Sequence, residues 1–268
     1  IRRQGEDFLQ GTPALPAESP LYAPHIGLLA ALGIGNISVY DTLKVAILST
    51  GNELATIGTT LQSGQIYNSN RYMLSALLKK QGCELVRVES VRDNLSDTTA
   101  CLEQLANEVD VIFTTGGVSV GDTDYIKPAI SQLGTIHLWR IAIKPGKPLM
   151  IGKINQTLII GLPGNPISCL VNFYVMVAPI LRKLQRKQPR LETEKLPIDF
   201  DISRLSDREQ YLRVQKKTLD GKTVLSLTGE QGSHLFSSTL SADGLARIPA
   251  YQQMSKGHWV EWIPFSAF

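Results

Sequence analysis

The chain has 268 residues, 43% hydrophobic and 19% charged, with a net charge of +3. That composition fits an ordinary globular protein of about two domains and makes no case for a nucleic-acid binder, and no run approaches the roughly 20 apolar residues of a membrane span. Cys83, Cys101 and Cys169 stand far apart without CxxC spacing, which argues against a zinc site and for a reducing, cytoplasmic location.

Residues 1–43 are rich in Pro and Gly, with a short helix expected over 26–32 before Gly33 and a short strand over 37–40. This is too little to bury a core. It reads as the remnant of an N-terminal, β-rich region that pairs with a missing part or another subunit. The first residue is Ile1, so a piece of a longer protein is expected.

From Lys44 strands and helices alternate. Strand 45–48 runs into STGNE (49–53). Asn68-Ser69-Asn70 can cap a helix carrying Met73, Leu74, Leu77 and Leu78, stopped by Gly82. Strand 85–91 ends at Asp93-Asn94, and Ser96 is the expected cap of a helix with Leu102, Leu105 and Ala106. Val111-Ile112-Phe113 is a buried strand feeding Gly116-Gly117, Gly121, Asp122 and Asp124, and Pro128 places a helix start near Asp124. Extended chain over 136–143 leads into KPGKP (144–148). Segments 149–154 and 157–160 form a hairpin, and GLPGNP (161–166) opens an apolar helix to about Leu184, interrupted by Asn172 and bent near Pro179. The alternation predicts an α/β domain over 44–188 with a largely parallel sheet. After a charged linker over 185–195 the chain is all-β. Strands are expected over 198–202, 210–218, 223–227, 244–248 and 259–263, with an Asp220-Gly221 hairpin turn, so 189–268 is a second, small domain.

Parallel strands place their carboxyl-end loops on one edge, so STGNE, TTGGVSVGDTD and GLPGNP share a rim. Glycines there let backbone N–H groups approach an anion, and tight packing of helix on strand is the alternative use. In KPGKP the prolines stiffen a loop and aim Lys144 and Lys147, which suits a phosphate or other oxyanion. Glu53, Asp93, Asp122 and Asp124 follow predicted strands, and carboxylates beside phosphates suggest Mg2+, though each alone serves equally as a cap. The residues therefore describe metal-assisted chemistry on a phosphorylated ligand, with the substrate open. His25, His137, His234 and His258 show no metal spacing.

Taken together, STGNEL (49–54), TTGGVSVGDTDY (114–125), KPGKP and GLPGNP with Ile167-Ser168 resemble the signature set of MoeA-type molybdopterin molybdenumtransferases, the family that includes the gephyrin E domain. GED (5–7), IGLLAALG (26–33) and TGEQGSHLFSS (228–238) resemble it too. The resemblance implies an elongated homodimer whose central domain is MogA-like and three-layered and whose C-terminal β domain is barrel-like. It implies insertion of molybdate into adenylylated molybdopterin, with Mg2+ and release of AMP, and a MogA-like adenylyltransferase as candidate partner. By motif position it implies catalytic roles for Glu53, Asp93, Asp124, Lys144 and Lys147, with Asp93 and Asp124 around the metal. It implies substrate contacts from Asp7, Gly116, Gly117, Ser119, Arg140, Gly164 and Asn165, and from Ser168, Arg213 and Ser238 toward molybdate. Asp122 is read as a cap or as a residue behind the site. A MogA-like adenylyltransferase activity, or a catalytically silent binding or scaffold fragment, is the alternative.

Overall fold

In the computed structural model, which describes residues 3, 5–118, 124–189 and 193–267, the chain before Lys44 holds one helix, α1 (Ala23–Ala31), and no strand among the described residues. Ile37, Val39 and Tyr40, expected as a strand, are exposed and belong to no strand. They have strand propensity but pair with no strand among the described residues, and propensity alone does not make a strand.

The α/β part then follows in order as β1 (Lys44–Thr50), β2 (Leu54–Ala55), β3 (Ile66–Tyr67), α2 (Ser69–Lys80), β4 (Glu84–Val91), α3 (Leu95–Ala106), β5 (Val111–Thr115), α4 (Ile126–Leu133), β6 (Thr135–Trp139), β7 (Ile143–Lys144), β8 (Met150–Ile154) and β9 (Thr157–Leu162). It ends in a long helix made of α5 (Pro166–Asn172), a π-helical turn (Phe173–Val177) and α6 (Ala178–Leu184). The sheet order is β4-β1-β5-β9-β8-β6. β4, β1, β5 and β9 are parallel, and the β9–β8–β6 side is antiparallel, which contains the expected hairpin.

Side chains of a strand alternate between faces, and both faces of this sheet are covered. Ile47, Phe113 and Ile160 pack against Leu74 and Leu78 of α2 and against Phe173 and Leu181 of the long helix. Ala46, Leu48, Ile112 and Ile159 pack on the other side against α3 and α4 through Leu102, Leu105, Ile126 and Ile130. This is the α/β domain the alternation predicts, in the three layers the family resemblance implies. Asn94, not Ser96, caps α3: its backbone is extended and its side chain accepts from the Asp97 N–H at 2.8 Å. Pro179 does not break the long helix: it sits in the first turn of α6, directly after the π turn, where the Ala178 N–H donates to the Phe173 carbonyl. Contrary to expectation, Pro166–Leu184 is by length and composition apolar enough to cross a bilayer. Its most apolar window is 61% buried, as the central helix of a packed core should be.

The second part contains β10 (Glu194–Pro197), β11 (Glu209–Leu219), β12 (Lys222–Leu227), β13 (Gly244–Ile248) and β14 (Trp259–Pro264). Their order is β10-β14-β13-β11-β12, and a bridge from Ile198 to Leu225 brings the chain beyond β10 back to β12, giving a barrel-like closure. Val214, Leu225, Ala246, Val260 and Trp262 are among the residues that fill it. The strand expected over 198–202 begins earlier, at Glu194, and Ile198 and Ile202 make only isolated bridges. Asp220 (φ 49°) and Gly221 (φ 73°) are both left-handed, as a two-residue hairpin turn of this type needs.

The two parts are joined at β7, which pairs in parallel with β11, Ile143 opposite Glu209 and Lys144 opposite Gln210. Ile143 is buried in one cluster with Ile167 and Val171 of α5 and with Tyr211, Leu245 and Ile263 of the barrel. Ile143→Ala is therefore expected to lower the unfolding free energy by about 2–4 kcal/mol in urea titrations. A loss below roughly 0.5 kcal/mol, the size of a surface change, would contradict a shared core.

Candidate functional site

The loops after β1, β5 and β9 converge. The Gly116 N–H donates to the Leu162 carbonyl at 3.2 Å. Gly116 has φ 84°, and a Cβ there would sit 2.8 Å from the Thr50 carbonyl, so only glycine allows this crossing of chains. Together with Gly117, Gly164, Asn165 and Ser168 these loops wall a cleft of about 440 Å3. Glu53 lies on its wall with its carboxylate folded over Gly51. Asn70 is buried beneath it. Its Nδ2 donates to the Gly164 carbonyl at 2.7 Å, while its Oδ1 has no hydrogen-bond partner.

The other acids are placed differently. Asp93 clasps two loops: its Oδ2 accepts from the Asn52 N–H at 2.9 Å, and its own N–H donates to Asn52 Oδ1 at 3.3 Å. Asp124 is half-buried, with both carboxylate oxygens shielded from solvent. Neither lines the cleft. They follow β4 and β5, the strands on either side of β1. Ser119, Gly121 and Asp122 lie outside the described residues. Among the described residues no three His, Cys, Asp or Glu side chains form an all-protein metal cage. Mg2+ rarely uses one; it takes one or two carboxylates and fills its shell with water and substrate phosphate oxygens. The Glu53 carboxylate and the unpartnered Asn70 Oδ1 are hard oxygen donors of the kind that ion accepts.

A second cleft, about 570 Å3, opens between the α/β part and the barrel and shares Pro148 and Ser168 with the first. One wall is KPGKP with Lys144 and Lys147; the other includes Arg208, Gln210, Tyr211 and the 231–233 loop. The lysine loop is held at both ends of its turn. Lys144 is in β7, and the Gly146 carbonyl accepts from Asn172 Nδ2 at 3.0 Å while the same nitrogen donates to the Ser168 carbonyl at 2.9 Å. A Cβ on Gly146 would overlap that amide.

Behind the barrel wall lies Arg213, with no exposed surface. Its Nε donates to Ser238 Oγ at 2.7 Å, and its Nη2 donates to the carbonyls of Glu230 (2.9 Å) and Gly232 (3.2 Å). Nη1 has no partner, and burial pushes the guanidinium pKa down. Arg213 and Ser238, expected to act together, are thus joined directly, but Arg213 braces the loop and is not on the cleft surface. Tyr211 donates to Glu209 Oε2 at 2.9 Å, and Glu209 in turn accepts from Arg247 at 2.5 and 3.2 Å. Hydrogen bonds from Arg247 hold the Glu209 carboxyl below its usual range, and burial raises the Tyr211 phenol, with Glu209 adding to it.

Two expected contacts are elsewhere. Arg140 has φ 79° and stacks its guanidinium 4.2 Å over the Trp139 ring, and Asp7 lies in the exposed N-terminal segment. Neither lines either cleft. Asn70, Asn172, Arg208 and Tyr211 were not singled out as site residues. For Asn172 there was a signal: a polar residue inside an otherwise apolar helix must bond to something when buried.

An α/β domain with glycine-bearing strand ends, joined through a lysine loop to a small barrel, defines a class, and comparison with known proteins places it. Residues 46–183 match the family described as a probable molybdopterin binding domain, and residues 195–265 match the MoeA C-terminal region, domain IV. A molybdopterin molybdenumtransferase of Haemophilus influenzae is 37% identical over 99% of this chain and 67% of its own length. Gephyrin of Dictyostelium discoideum is 32% identical over 98% of this chain and 42% of its own. The crystal structure of a MoeA protein from Pyrococcus horikoshii superposes with a TM-score of 0.80 at 32% identity, over 97% of this chain and 64% of that one. The chain belongs to the molybdopterin molybdenumtransferase (MoeA) family. It spans between 42% and 67% of the length of these three relatives.

Asn172→Ala leaves two buried carbonyls short of a donor, so a loss of about 1–3 kcal/mol is expected in chemical denaturation; an unchanged midpoint would mean the loop is held by other contacts. For Glu209, whose folded pKa lies below its ordinary 4.5, the stabilisation is complete above that value and is lost as pH falls through the folded pKa. The thermal midpoint of Glu209→Gln should therefore lie below that of the parent at neutral pH, with the gap closing as pH falls below 4.5 and through the lowered folded pKa. A gap that stays constant through that range would show that the carboxylate is not the group responsible.

Proposed function

We propose that the chain acts in molybdenum cofactor biosynthesis as a molybdopterin molybdenumtransferase, joining molybdate to adenylylated molybdopterin with release of AMP. The observation that carries this reading is the meeting of two different clefts at Pro148 and Ser168. One is walled by glycine-bearing strand ends, which suit a phosphorylated pterin. The other is walled by two lysines, which suit a metal oxyanion.

In this reading Gly116, Gly117, Gly164 and Asn165 bring backbone close to the pterin phosphate. Lys144 and Lys147 hold molybdate beside the dithiolene sulfurs, with Ser168 at the junction. Arg213 contributes positive potential through the loop it braces, because a buried charge with no carboxylate partner is poorly screened. A loop whose backbone is already fixed costs little reorganisation when the anion enters. Mg2+, bound by Glu53 with oxygens of the pterin phosphate, would neutralise charge on the departing AMP. Asp93 acts by holding the Glu53 loop, through Asn52, and Asp124 by its charge beside the glycine turn. We place the enzyme in the cytoplasm as a homodimer, receiving its substrate from a MogA-like adenylyltransferase. The apolar residues exposed before Lys44, such as Val39 and Tyr40, are consistent with a surface that another chain covers.

Lys147→Ala removes a charge from the cleft without touching the core. It should abolish calorimetrically detectable molybdate binding and lower turnover of adenylylated molybdopterin by at least about 100-fold, with the circular dichroism spectrum unchanged. Parental binding and turnover in that variant would sink the assignment. Formation of adenylylated pterin from molybdopterin and ATP, without molybdate, would point to the adenylyltransferase activity instead.

A further inference from the structure

We propose that Arg208 is a third anion-binding side chain of the lysine cleft, supplied by the barrel, and that a tetrahedral oxyanion is therefore gripped from both domains at once. This rests on the reading of that cleft given above and adds a residue that neither the motifs nor the family resemblance singled out.

Arg208 immediately precedes β11, the strand that pairs with β7. The Glu209 N–H donates to the Ala142 carbonyl at 3.1 Å, so the backbone beside Arg208 is tied to the chain that leads into the lysine loop. On its other side Ser206 Oγ donates to the Arg208 carbonyl at 2.9 Å and accepts from its N–H at 3.1 Å. With its backbone held this way, Arg208 lines the same cleft as Lys144 and Lys147, on the wall the barrel supplies, and no carboxylate stands among the described residues that line it.

The guanidinium itself is lightly engaged. Its ion pair with Asp207 is 3.5 Å long, and that carboxylate is 73% exposed. Nη1 reaches the Ile143 carbonyl only at 3.4 Å. A solvated pair of this kind is worth little and gives way to a better acceptor. Guanidinium binds two oxygens of one anion in a fork, whereas ammonium acts as a point charge. Two lysines from one side therefore neutralise the anion, and the arginine from the other side fixes its orientation.

The test is calorimetric titration of the 268-residue chain with sodium molybdate and, separately, with inorganic phosphate at low ionic strength. Arg208→Ala should weaken binding of one or both anions about tenfold, Arg208→Lys should recover only part of that, and the melting temperature without anion should not move. Arg208→Gln, which keeps most of the side-chain stem, is the variant to use if the alanine form does not fold. A loss seen with molybdate alone supports Arg208 as a ligand of the metal oxyanion; a loss with phosphate as well supports it as a reader of tetrahedral oxyanions in general. Parental affinity in Arg208→Ala and Arg208→Gln, with binding lost in Lys147→Ala, overturns the role of Arg208 and leaves the cleft reading standing. If the parent chain binds neither anion, the cleft reading fails and the role of Arg208 fails with it.

Discussion

The short pairing of Ile143-Lys144 with Glu209-Gln210 is the constraint on which the rest of the site depends. A lysine in a free loop carries a large rotamer and backbone entropy that must be lost each time it binds. Here the backbone of Lys144 is already a strand of the barrel sheet, and Ile143 is anchored in a core shared by both domains. A few residues on, the Asn172 amide holds the Gly146 carbonyl against α5. The backbone part of that cost is thus met during folding and does not recur on binding.

The same logic explains the concentration of glycine on the α/β side. Parallel strands end on one rim, but three loops can meet there only if backbone crosses backbone at van der Waals distance. Gly116 does this over the Thr50 carbonyl, and the Gly164 carbonyl takes the buried amide of Asn70. On the barrel side, Arg213 meets three partners through Nε and Nη2 but none through Nη1. Burying a guanidinium without a carboxylate is costly unless polar groups surround it, and the carbonyls of the 230–232 loop are such groups. That loop is in turn one wall of the cleft.

Several features are legible in the sequence. Alternation of β-branched runs with helical spacing located β1, β5 and α2, and the Asp220-Gly221 dipeptide located the hairpin of the barrel. KPGKP could be read as a stiff cationic loop because proline limits φ whatever the context. For other residues the same methods do not name the partner. Asn172 looked like an interruption in an apolar helix, and Asp93 looked like a free carboxylate, because their partners, Gly146 and Asn52, are distant in the chain. Arg140 looked like part of the cationic face, yet its left-handed backbone turns it onto Trp139.

The sequence by itself determined most of the strands, helices and turns, the α/β alternation, and the set of loops able to bind anions. These follow from periodicity and from the backbone limits of glycine and proline, which act over a few residues. Only the tertiary structure decided that the rim and the lysine loop make two clefts meeting at Pro148 and Ser168, that Arg208 lines the same cleft as the lysines, and that Arg213 stands behind the wall. Those depend on which strand ends lie side by side and how a two-residue strand docks on the barrel. No local pattern encodes a pairing between residues 143–144 and 209–210.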